Sequence, residues 1–290
     1  LKYGNHTAVI MMTGFSDVQS AVKALHQGAF DYLEKPLTTD LLRFRINQAL
    51  ERRRLQKRQH QYVASIEKAV RERTNELQRA WRGTIFALAR LAESRDDETG
   101  THLIRLRNYT VAIAQSMRQM GLYPGILTPT FIDWLKDTAP LHDIGKVGIP
   151  DSILLKRGTL TPEEFDQMKA HTIIGARALE DVQRRVGEKM FLDIGIQVAR
   201  SHHERMDGNG YPDALRGEEI PLAARIVSVA DAYDALSQSR VYRPKAFSHE
   251  KAMKMIRDEA GDKFDPDVVT ALERIQDEVR EIAARLVDEP

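Results

Sequence analysis

Between Pro36 and Gly83 the chain contains neither proline nor glycine. Nothing in that stretch removes a backbone donor or supplies a left-handed turn, so one long helix is the structure it can form. Thr38-Thr39-Asp40 offers the side-chain acceptor that caps its start. Apolar or aromatic residues recur at Leu42, Ile46, Ala49, Leu55, Tyr62, Ile66, Ala69, Val70, Leu77 and Trp81. This imperfect heptad in charged surroundings predicts a narrow seam, and a homodimer through the helix at 41–82. From Glu51 to Arg82 ten Lys/Arg face four Asp/Glu. A solvated helical face accounts for that excess better than a nucleic-acid patch, and no DNA partner is expected.

After Gly83 strand signals nearly vanish. Ile85, Leu88, Leu91 and Ala92 mark one helix face, and Leu103 to Met120 forms a further helix. Thr161-Pro162-Glu163-Glu164 combines a cap, proline at the first helical position and a capping-box glutamate, which places His171 on the helix that follows. Ile194 to Ser201 ends at a double histidine, and Leu222 to Leu236 carries Asp231 and Asp234. The expected fold class is mainly α, an all-helical bundle with the polar candidates on or at the ends of helices.

Those candidates form the chemically richest pattern in the chain. They are Glu98-Thr99-Gly100-Thr101-His102, His142-Asp143-Ile144-Gly145-Lys146, His171, His202-His203-Glu204 running into Asp207-Gly208-Asn209-Gly210-Tyr211-Pro212, and Asp231. Five of the nine histidines fall here, while His6, His26, His60 and His249 lie outside and read as surface or packing residues. Imidazole with carboxylate and no thiolate suits iron, manganese, nickel or zinc. Neighbouring helical residues point about 100° apart, so adjacent ligands serve two ions better than one. That reasoning makes His142-Asp143 and His202-His203 straddling pairs, Asp143 the candidate bridge, and His171 and Asp231 the completing ligands. Glu98 and His102 share a face if their segment is helical. Two metals roughly 3.5–4 Å apart can neutralise a phosphodiester, activate water and stabilise a leaving alkoxide, so metal-assisted hydrolysis is the chemistry expected.

The first forty residues instead have an α/β rhythm: an apolar run Ala8 to Met12, helix-start signals at Ser16-Asp17, an amphipathic stretch through Leu25 ending near Gly28, and a second run Phe30 to Leu33. Met12-Thr13-Gly14 through Ala29-Phe30-Asp31-Tyr32-Leu33-Glu34-Lys35-Pro36-Leu37 resembles the C-terminal part of a response-regulator receiver domain. The resemblance implies a switch hydroxyl at Thr13, a rotating aromatic at Tyr32, a phosphate-contacting lysine at Lys35 and a sensor histidine kinase as partner. The strands carrying that family's phosphoacceptor are not in this sequence. The expected domains are a partial receiver at 1–40, a helical linker at 41–82 and a hydrolase at 83–290.

The segments His142 to Lys146 and His202 to Pro212, with Val229-Ala230-Asp231-Ala232-Tyr233-Asp234-Ala235-Leu236 and Arg240-Val241-Tyr242-Arg243, resemble the signatures of HD-GYP cyclic di-GMP phosphodiesterases. The resemblance implies an all-helical core that hydrolyses a 3′,5′ phosphodiester bond of cyclic di-GMP to linear pGpG, and in some members GMP. By position it makes Glu98, His102, His142, Asp143, His171, His202, His203 and Asp231 metal ligands. It favours two or three divalent ions, iron or manganese foremost, with Glu98 admitting a third. Lys146, Tyr211, Arg240 and Arg243 become substrate contacts, and Asp96, Asp143, Lys146 and Asp234 the catalytic group. Ser237-Gln238-Ser239 and Val241 depart from the family's usual residues without touching a presumed ligand. The rivals are a non-catalytic module that binds a cyclic dinucleotide, and an HD-type phosphohydrolase for another nucleotide.

Composition excludes little beyond this. The chain has no cysteine, and 43 Lys/Arg nearly balance 42 Asp/Glu. Disulfides and thiolate sites are ruled out, and a reducing compartment is comfortable. No apolar run approaches the roughly 18 residues of a membrane span, and Leu1 to Asn5 lacks a signal-peptide layout. A cytoplasmic location is expected.

Overall fold

The computed structural model describes residues 7–14, 18–95, 100–187, 189–238 and 246–286. The chain divides into two compact units, Leu1–Arg79 and Ala80–Pro290, and the boundary falls inside one helix.

In the first unit, β1 (Ile10–Thr13), α1 (Val18–His26) and β2 (Asp31–Glu34) precede α2 (Thr39–Glu93). The strands pair in parallel with Met11 opposite Tyr32 and Thr13 opposite Glu34. Parallel pairing needs a crossover, which α1 provides, with Ala24, Ala29 and Leu33 buried. Thr13 closes β1 and Lys35 follows β2, so both stand at the C-terminal edge of the pair; the Lys35 amide donates to the Thr13 carbonyl at 2.8 Å. Ser16 and Asp17, expected to start α1, lie outside the described residues. The Leu41 amide donates to the Thr38 hydroxyl at 3.3 Å, so Thr38 caps α2. The helix continues through Gly83 without a break. One glycine costs only about 1 kcal/mol against alanine, too little to end a helix held by packing on both sides of it.

The second unit is helical. The end of α2 leads to α3 (Gly100–Gln119), α4 (Pro129–Thr138), 3-10 turns at Ala139–Leu141 and Ile144–Gly148, and α5 (Asp151–Leu154). Then come α6 (Pro162–Val186), α7 (Met190–Ser201), a 3-10 turn at Gly217–Glu219, and α8 (Leu222–Ser237). The last helices are α9 (His249–Asp258), α10 (Pro266–Arg274) and α11 (Gln276–Arg285). Helix α8 is predominantly apolar and packs at the centre against the apolar face of α3. Leu106, Tyr109, Ile113 and Met117 of α3 and Ile226, Val227 and Val229 of α8 are fully buried, each large aliphatic side chain contributing about 1.5–3 kcal/mol. Thr161 caps α6 in the expected reciprocal box with Glu164.

One expected helix face is corrected. Ile85, Phe86, Ala89 and Ala92 turn inward toward Leu103 and Leu141, whereas Leu88 and Leu91 are 51% and 67% exposed. Spacing alone admitted both stripes; the small residues Ala89 and Ala92 are what allow α2 to lie close.

Candidate metal centre

The sequence-predicted residues arrive from five elements. His102 is in the first turn of α3, His142 and Asp143 lie between the two 3-10 turns, His171 is on α6, His202 and His203 follow α7, and Asp231 is on α8. The structure brings them into two groups: Asp143, His171, His202 and His203, and His102, His142 and Asp231. In each group one ligand atom per residue lies within 4.8 Å of the others. His142 and Asp143 therefore straddle the groups as expected. His202 and His203 do not, and both join Asp143. Helix α7 ends at Ser201, so the 100° helical step no longer separates the two rings, whose centres stand 4.0 Å apart. Asp96 and Glu98 lie outside the described residues, as do Arg240 and Arg243.

Backbone packing sets this arrangement. Gly145 lies against α6 so closely that a Cβ would overlap the His171 carbonyl oxygen, and Gly175 closes the contact from the other side. Gly210 meets the Arg205 amide and Glu204 Cα equally tightly, and Gly208 has φ +80°, a region open to glycine. Buried Glu204 holds the Gly-Tyr-Pro loop through two hydrogen bonds: the Asp213 amide donates to Oε1 at 2.7 Å and the Leu215 amide to Oε2 at 3.0 Å. The Tyr211 ring then packs 4.8 Å from that of His203.

The hydrogen bonding leaves acceptors facing acceptors. His171 Nδ1 donates to the Met168 carbonyl at 2.7 Å and His202 Nδ1 to the Val198 carbonyl at 3.0 Å, so each Nε2 presents a lone pair. Those Nε2 atoms stand 3.2 and 3.4 Å from Asp143 Oδ1. All three atoms are buried and find no hydrogen-bond partner among the described residues. A convergence of unpaired buried acceptors is stable only around a cation, and nitrogen with oxygen donors fits a divalent transition metal. His102 is oriented in the same way. Its Nδ1 donates to Asp234 Oδ2 at 2.7 Å, which turns Nε2 toward Asp231 Oδ1 at 3.8 Å.

Electrostatics agree at Asp143, His202 and His203, whereas at His142 the lowering effect of burial is overridden by Asp143, which raises the ring. Burial pushes the Asp143 carboxyl up, but Lys146, with Nζ 2.8 Å from Oδ2, and then His142 override it and hold Asp143 well below the usual range. Burial lowers His202, and burial with the neighbouring His202 lowers His203 further. Both rings are thereby kept in the neutral form that ligates.

Two residues near the centre were not singled out from sequence. Arg105 grips Asp234 with two hydrogen bonds, Nε to Oδ1 at 2.6 Å and Nη2 to Oδ2 at 3.0 Å, and is 1% exposed. With both oxygens of Asp234 committed to Arg105 and His102, the geometry makes it a residue that orients His102. The signal was Arg105 itself, three residues after His102 on one helix. Glu93, the last residue of α2, is 2% exposed with Oε1 3.8 Å from His102 Nε2.

An all-helical bundle that converges histidine and aspartate from five elements on two adjacent polar clusters is the architecture of an HD-type domain. A model of the HD domain family matches residues 107–268, and the chain belongs to that family. A Vibrio cholerae serotype O1 protein named "Probable cyclic di-GMP phosphodiesterase" is 41% identical over 288 residues, 98% of this chain and 64% of that protein. A second protein of that organism, "Cyclic di-GMP phosphodiesterase", is 50% identical over 70% of this chain and 41% of its own length. "Cyclic di-GMP phosphodiesterase response regulator RpfG" of Xanthomonas campestris pv. campestris is 37% identical over 96% of this chain and 70% of its own length. The chain thus spans less than two thirds of the two Vibrio relatives.

Proposed function

We propose that this chain is a metal-dependent phosphodiesterase that opens cyclic di-GMP at a 3′,5′ phosphodiester bond to give linear pGpG. The observation that carries the reading is Asp143, which belongs to one acceptor cluster, adjoins His142 of the other and is paired with Lys146. The names of the three relatives favour the cyclic dinucleotide as substrate.

Asp143, His171, His202 and His203 would hold one ion and His102, His142 and Asp231 a second, and Glu98 would be the ligand for a third. Divalent ions bound there supply Lewis-acid charge to the phosphoryl oxygens and acidify nearby water. The remaining work belongs to the chain. Lys146 keeps Asp143 ionised and sets a fixed cation beside the reacting phosphate. Tyr211, seated over His203, flanks the substrate. Arg240 and Arg243 clamp phosphate oxygens or guanine edges, and Asp96 handles protons. Asp234 fixes His102 through its Nδ1 hydrogen and leaves proton transfer to other groups.

Residues 1–40 act as the end of a receiver domain with Thr13, Tyr32 and Lys35 as switch residues, answering to a sensor histidine kinase. Residues 41–82 pair two copies, and 83–290 form the hydrolase. No helix among the described residues is long and apolar enough to cross a membrane, which accords with a cytoplasmic signalling enzyme.

The test is chromatography of products from manganese- or iron-loaded protein given cyclic di-GMP or another cyclic dinucleotide. Linear pGpG is expected, with activity abolished by chelation and reduced at least about a hundredfold in Asp143→Asn with its helical content intact. Hydrolysis of only the other dinucleotide, binding without turnover, or an Asp143→Asn variant as fast as the parent each refutes the assignment.

A further inference from the structure

We infer that Arg95 is a positioning residue for the reaction, its guanidinium fixing the turn that carries Lys146 beside Asp143. The inference rests on the reading that those two side chains serve phosphodiester hydrolysis.

Arg95 follows the last residue of α2 by two positions and faces the 3-10 turn Ile144–Gly148. The last carbonyls of such a turn need donors from outside it. Arg95 supplies them. Its Nη1 donates to the Lys146 carbonyl at 3.3 Å and to the Val147 carbonyl, and its Nη2 to the Ile149 carbonyl at 3.2 Å and to Asp151 Oδ1 at 2.5 Å. The two terminal nitrogens of a guanidinium carry four hydrogens in a fixed fork, and four acceptors meet them here. An ammonium presents its hydrogens from a single point and cannot span that set. Asp151 opens α5, so the same group ties the turn to the end of α2 on one side and to the following helix on the other.

The opposite side of the turn is held to α6 by the close approach of Gly145 to His171. Between these two clamps the Lys146 amide donates to the Asp143 carbonyl at 2.9 Å, and Lys146 Nζ stands 2.8 Å from Asp143 Oδ2. A short 3-10 segment has poor hydrogen-bond geometry of its own and depends on such outside support. Gly145 secures the Asp143 end and Arg95 the Lys146 end. Loss of the guanidinium therefore frees Lys146 first. The contact spans 51 residues of sequence, so no local spacing could disclose it.

The experiment has two arms, both on the whole chain. In the first, hydrogen exchange of chelated protein is read by mass spectrometry for the parent, Arg95→Met and Arg95→Lys. Arg95→Met should exchange the amides of 144–149 at least about tenfold faster, with those of α3 and α8 unchanged as evidence that it has folded. Arg95→Lys, a milder change, should show the same local loosening and gives the reading if Arg95→Met does not fold. The second arm is a double-mutant cycle with Lys146→Met, reading kcat for cyclic di-GMP. Arg95→Met should lower kcat at least about tenfold in the parent but less than about twofold in Lys146→Met, because a residue that acts through Lys146 then has nothing left to place. A merely structural role would give the same loss in both backgrounds. That result, or parental exchange across 144–149, overturns the inference. A parent that does not hydrolyse cyclic di-GMP refutes the proposed function instead, and the exchange arm, which needs neither metal nor substrate, still decides whether Arg95 fixes the turn.

Discussion

Asp234 and Arg105 illustrate how one buried pair decides the use of a histidine. Asp231 and Asp234 are one turn apart on α8, yet only Asp231 joins the acceptor clusters while Asp234 is spent on Arg105 and His102. Burial opposes ionisation of Asp234, but the His102 hydrogen bond and Arg105 hold its carboxyl below the usual range. Asp234→Asn should leave Arg105 buried without its counter-charge and cost about 3–5 kcal/mol in urea denaturation of the metal-free protein. The double variant Arg105→Met with Asp234→Leu should recover much of that loss, since an apolar pair of similar volume avoids the desolvation cost. A single variant as stable as the parent would refute the pairing argument. The type of these residues was legible in the sequence, but the division of labour between Asp231 and Asp234 was not, because it depends on which carboxylate meets Arg105.

At the scale of elements, helix starts were the most legible feature. The Thr161 capping box and the Thr38 cap are local hydrogen-bond devices, and both appear as the residues specify. Helix faces were less legible. Leu88 and Leu91 have the spacing of a core stripe but lie outward, because the choice between two apolar stripes is made by the partner surface. The double histidine behaves likewise: the end of α7 one residue earlier sends both rings to Asp143. The contact between the Ile144–Gly148 turn and α6 is the joint that places His171 against Asp143, and it exists because Gly145 has no side chain. Gly145→Ala should force α6 away, lower stability by about 1–3 kcal/mol and weaken manganese binding together. Denaturation and metal titration on one preparation test this, and a substitution neutral in both would show that the contact relaxes freely.

For the whole molecule, α2 presents Leu55, Tyr62, Ile66, Val70 and Leu77 at exposures of 45% or more along one charged helix. Such a seam is costly in a solitary helix and stabilising between two copies. Sedimentation velocity should find a dimer for the parent and a monomer for Ile66→Glu with Val70→Glu; a parent that sediments as a monomer at micromolar concentration would count against pairing. The sequence by itself determined the helical content, the start of α2, the caps and the inventory of imidazoles and carboxylates, because these follow from backbone chemistry and local spacing. Only the tertiary structure decided how the inventory is partitioned. It set His202 and His203 to one cluster, Asp234 to Arg105, and Glu93 beside His102. The physical reason is that a ligand cluster is defined by where side chains from separate helices end, and that is fixed by close packing between elements far apart in sequence.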